Sequence, residues 1–100
     1  MIQQDQGNYA AAVRLYEQSL KTSEELGDKS GVASSLGQMG KLAQAQGRYK
    51  EAMSYYLRAL ALFQALNSPY AQLTARLLGE IKAAVGEAQF AAWWEELGAQ

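Results

Sequence analysis

The chain contains no cysteine and no histidine. The first absence excludes disulfides and a thiolate nucleophile, and it fits a reducing compartment. Together the two remove the usual ligands of zinc and the usual general base. Proline occurs once, at Pro69, and β-branched residues only at Ile2, Val13, Thr22, Val32, Thr74, Ile81 and Val85, which argues against a strand-rich fold. Nine basic residues face ten acidic ones for a formal charge of −1, and the basic ones form no cluster, so nothing draws the chain towards nucleic acid or anionic lipid. No apolar run approaches the roughly 20 residues a bilayer requires, and the opening MIQQDQGN lacks the basic and apolar regions of a signal peptide. The expectation is a cytoplasmic chain with no nucleic-acid or membrane partner, no metal, no cofactor and no catalytic residues. Glu24-Glu25, Glu95-Glu96 and Glu51 do not alter that, because neighbouring carboxylates on a helix diverge and no nucleophile or base accompanies them.

What fills the chain is Ala, Leu, Gln, Glu and Lys, the vocabulary of helices. One hundred residues, about half of them apolar, suffice for one modest core. Apolar spacings of three and four predict five helices. The first carries Tyr9, Ala12, Val13, Tyr16 and Leu20 and ends near Leu26 before Gly27. The second is capped by Asp28, carries Val32, Leu36, Met39, Gly40 and Ala43, and is closed by Gly47. The third carries Tyr49, Ala52, Met53, Tyr56, Leu60 and Phe63. Ser68 and Pro69 open the fourth, which carries Leu73, Leu77, Leu78, Ile81 and Val85 as far as Gly86. The fifth, from about Glu87 to Leu97, sets Phe90, Trp94 and Leu97 on one face.

The stretch GRYKEAMSYY, from Gly47 to Tyr56, echoes GNYAAAVRLY, from Gly7 to Tyr16: glycine, tyrosine, alanine and tyrosine recur at identical offsets forty residues apart. The run Leu36, Met39, Gly40, Ala43, Gly47, Tyr49, Ala52, Tyr56, Ala59 resembles the tetratricopeptide-repeat signature, with Leu36 and Ala43 standing where aromatics are common. The forty-residue spacing is similar to the long-helix variety seen in kinesin light chain and many bacterial signalling and scaffold proteins. The resemblance implies an all-α, right-handed α-solenoid of antiparallel helix pairs. Residues 1–27 would be helix B of a partial repeat, carrying Gly7, Tyr9, Ala12 and Tyr16, and 28–67 a complete repeat. Residues 68–100 would be a final repeat whose helix B, with Ala88 and Glu95 in place of aromatics, acts as a cap. Gly40 and Gly79 interrupt helices at a cost of about 1 kcal/mol each relative to alanine, so close helix approach is expected at both, with Ala52 as the partner of Gly40.

The resemblance further implies a non-enzymatic module that binds a partner protein or peptide through the concave face lined by helices A. Carried over residue by residue, that face presents Ser34, Gly37, Lys41 and Gln44 in the second repeat and Leu73, Arg76 and Glu80 in the third. Lys41 and Arg76 would hold a carboxylate or carbonyls, and Glu80 a basic group. The paired positions Gly37/Lys41 and Arg76/Glu80 lack the residues of a two-carboxylate clamp, which argues against an acidic chaperone tail as ligand. Adjacent Trp93 and Trp94 point about a hundred degrees apart, so one should pack while the other lies part-exposed, a candidate end interface. The first helix has no A partner. Its apolar side should therefore be poorly covered, either because the chain is a segment of a longer array or because a second copy supplies the contact, and an alternative role as a structural or oligomerisation segment follows.

Overall fold

The computed structural model describes residues 2–98, with side chains from Tyr9 onward. Five α-helices follow one another: α1 Ile2–Leu26, α2 Lys29–Ala45, α3 Tyr49–Ala65, α4 Tyr70–Val85 and α5 Glu87–Gly98. Each packs on the next in sequence, α1 on α2, α2 on α3, α3 on α4 and α4 on α5. The result is a slab of 39 × 36 × 24 Å, and its least dimension is that of two helix layers of about 10–12 Å each. One layer holds α2 and α4, joined by a hydrogen bond from Gln44 to Glu80. The other holds α1, α3 and α5. There Lys50 and Glu96 tie α3 to α5, and the Arg48 guanidinium, at the mouth of α3, lies 5.2 Å from the centre of the Tyr9 ring on α1, within cation–π range.

The first three turns share one closure. After α1, Gly27 (φ +71°) donates to the carbonyl of Glu24 and Asp28 to that of Ser23. After α2, Gly47 (φ +74°) and Arg48 donate to Gln44 and Ala43; after α3, Asn67 (φ +55°) and Ser68 donate to Gln64 and Phe63. Each is a Schellman motif, whose left-handed residue glycine or asparagine occupies at least cost. The Asp28 side chain then accepts from the Gly31 amide at 3.0 Å and starts α2 as an N-cap. Ser68 accepts from the Tyr70 amide at 3.2 Å, but α4 begins one residue after Pro69. Gly86 (φ +93°, ψ 157°) is extended in the mirror sense, and α5 begins directly behind it. Gly7 lies inside α1.

The core has two parts, both centred on α3. Ala43, Ala52, Met53, Tyr56, Leu78 and Ile81 form one, against which Phe90, Trp93 and Leu97 of α5 pack; Ala33, Leu36, Ala59 and Phe63 form the other. The stripe of α5 is thus Phe90, Trp93 and Leu97. Trp94 falls outside it and remains 47% exposed, though its ring still stands 5.8 Å from that of Phe90. The outer helices are thinly covered. Within α1 no residue from Tyr9 to Leu26 is fully buried, and Leu15 and Leu26 are 64% and 76% exposed; no residue of α5 is buried either.

The two mid-helix glycines differ. A Cβ on Gly40 would stand 2.5 Å from Cε1 of Tyr56, whose ring is completely buried, whereas one on Gly79 would meet nothing within 4 Å. The tyrosine ring is therefore what holds position 40 to glycine, with Ala52 in the same core cluster as that ring. Gly79 lacks a ring because Glu95 stands in α5 where Tyr56 stands in α3, thirty-nine residues earlier. Gly40→Ala is expected to destabilise by about 1–3 kcal/mol through overpacking, whereas Gly79→Ala should gain up to about 1 kcal/mol from helix propensity. Urea unfolding of the two variants measures both.

Candidate binding groove

The α2/α4 layer presents one open face, and between the two helices lies a cavity of about 190 Å³. From α2 it is walled by Ser34, Gly37, Gln38 and Lys41, from α4 by Tyr70, Leu73, Thr74 and Leu77, and Phe63 of α3 reaches it as well. The walls follow from helix periodicity. Leu78 and Ile81 turn into the core, so Leu73 and Leu77 are left on the flank that faces α2. Leu73 is 38% exposed and Tyr70 58% exposed, the latter with its ring tilted against Phe63 at 5.6 Å between centres. Thr74 is buried, its hydroxyl donating to the Tyr70 carbonyl at 2.8 Å. This leaves an apolar wall on α4 facing a small and polar one on α2.

The residues expected on this face separate into two groups. Ser34, Gly37, Lys41 and Leu73 come together in the cavity. Gln44 and Glu80 lie outside its lining and engage one another: the Tyr56 hydroxyl donates to Gln44 Oε1 at 2.7 Å, and Gln44 Nε2 donates to Glu80 Oε1 at 3.0 Å. Such a relay polarises each bond in turn, and it links three helices: α3, α2 and α4. Arg76 is exposed and lines no part of the cavity. Neither Lys41 nor Arg76 forms an ion pair among the described residues. The relay also fixes the register of the layer, with Gln44 of α2 abreast of Glu80 of α4.

Sequence reading omitted Gln38, Phe63, Tyr70, Thr74 and Leu77 from this site. A signal for the α4 residues was available, since α4 carries more large apolar side chains than one core-facing stripe uses. Phe63 belongs to a B helix and gave none. Of the tandem tryptophans, Trp93 packs on the core and Trp94 lies at the end of the slab.

The sequence model of the tetratricopeptide-repeat family matches residues 1–65 and again residues 32–92. The chain belongs to the tetratricopeptide-repeat family. No curated protein and no solved structure gives a significant match. Members of the family generally mediate protein–protein interaction and are generally not enzymes. Among the described residues no helix is long and apolar enough to cross a membrane.

The relay carries a pH signature. Burial, and secondarily the charge of Glu80, pushes the Tyr56 hydroxyl up from 10.0 to about 12. Burial, followed by the charges of Glu51, Tyr9 and Glu17, also raises Tyr55. Between pH 10 and about 12 the unfolded chain releases a proton that folded Tyr56 retains, so this contribution to stability is complete below pH 10 and is lost as pH rises towards 12. Tyr56→Phe should cost about 1 kcal/mol at neutral pH by removing the bond to Gln44. It should also flatten the alkaline loss. Melting curves of both proteins from pH 8 to pH 12, compared as a difference, measure the two effects.

Proposed function

We propose that the chain is an interaction module of the scaffold or adaptor kind, which binds a peptide or helix of a partner protein in the groove between α2 and α4. The observation that carries this is the cavity. Leu73 and Tyr70 line it and remain exposed, and apolar side chains gathered at a concavity with a few polar groups are what a binding site requires. Ser34, Gly37, Lys41 and Leu73 are its contact residues, Arg76 flanks it, and Gln44 and Glu80 brace its far end. Residues 28–67 act as the complete repeat, flanked by a helix-B element in 1–27 and a capping pair in 68–100.

A second reading has its own support, a role as an assembly segment acting through the ends. Leu15 and Leu26 on α1 and Trp94 on α5 lie at opposite ends of the stack, where a neighbouring repeat or a second copy would cover them.

The two readings separate by mutation. A partner captured by the immobilised chain and identified by mass spectrometry should bind Leu73→Glu and Lys41→Glu variants at least about tenfold more weakly, a loss of about 1.4 kcal/mol. It should bind Lys29→Glu, at the start of α2, normally. Undiminished binding to both groove variants refutes the groove. If the ends act instead, sedimentation at rising concentration shows assemblies that Leu15→Glu or Trp94→Ala dissolves while groove variants leave them intact. A strictly monomeric species removes self-association.

A further inference from the structure

Gly37 sits in the middle of α2, where glycine costs about 1 kcal/mol relative to alanine. A helical glycine usually has a packing or a functional reason. Packing does not supply one here. Gly40, one turn on, is held to glycine by the Tyr56 ring, whereas a Cβ on Gly37 would meet nothing within 4 Å and its backbone is not left-handed. The space that a side chain would take is part of the cavity.

The cavity's chemistry is lopsided. Phe63, Leu73 and Leu77 give it an apolar side, and its volume of about 190 Å³ exceeds the roughly 150 Å³ of an engineered apolar cavity that admits benzene. Lys41 is the sole charged residue in the lining. It has no ion-pair partner among the described residues, while the nearby acid Glu80 is engaged by Gln44 beyond the cavity. We propose that this cavity receives one bulky apolar side chain, leucine- or phenylalanine-sized, of a partner peptide that carries an acidic residue next to it, Gly37 supplying the room and Lys41 the counter-charge. The inference rests on the groove reading above and adds to it the chemistry of the ligand.

The chain itself, used to select from a displayed library of random short peptides, provides the test. Wild-type selections should be enriched in a bulky apolar residue within one or two positions of Asp or Glu. Gly37→Leu fills the cavity from inside and should melt no lower than wild type, yet bind the selected peptides about tenfold or more weakly, since burying such a side chain is worth about 1.5–3 kcal/mol. Lys41→Glu should weaken them several-fold, and exchanging the peptide's acid for lysine should restore binding to that variant. Peptides that are lost on Leu73→Glu but show no such pairing, or that bind Gly37→Leu unchanged, overturn the inference and leave the groove standing. Peptides indifferent to Leu73→Glu, or no selected peptide at all, overturn both.

Discussion

The contact between Gly40 and the ring of Tyr56 sets the geometry of this molecule. A buried phenol pressed onto bare backbone allows α2 and α3 to approach as no larger residue at position 40 would, and the rest of the hairpin closes around it. Ala43, Ala52 and Met53 join the tyrosine in one core cluster, which Leu78 and Ile81 of the next helix complete. The polar end of that ring needs a partner once it is withdrawn from water, and Gln44 supplies it, passing the interaction on to Glu80. One residue pair thereby fixes a helix crossing, and through its hydroxyl the alignment of the following helix.

The groove and the thinly covered ends are two results of stacking by layers. In a stack each helix pair relies on its neighbours to cover its flanks. The inner pair α2/α3 is covered on both sides and holds most of the buried residues, while α1 and α5 are covered on one. Between α2 and α4 the layer is interrupted by residues too small to fill it, Ser34 and Gly37 on one wall.

Much of the fold was legible in the sequence because its signals were local. Gly27, Gly47 and Asp28 marked turns and a cap through their own backbone and hydrogen-bonding chemistry, and the stripes of α2 and α3 read correctly from period alone. Errors arose where a signal depended on a distant partner. Trp94 fitted a helical stripe with Phe90 and Leu97 as well as Trp93 does, and only the position of the core beneath α5 selects between them. Ala52 was a plausible partner for Gly40 by size, whereas the atoms nearest the space above the glycine belong to the Tyr56 ring. On the groove, four of the seven predicted residues meet in the cavity. Of the others, Gln44 and Glu80 bond to one another beside it and Arg76 stands exposed, placements that depend on how two helices are aligned and not on either sequence alone.

The polar relay also makes the alignment of the layer a matter of one amide. Gln44 spends its oxygen on Tyr56 and its nitrogen on Glu80, so a single side chain holds α2 in step with both the helix behind it and the helix beside it, and a substitution there loosens two neighbours at once.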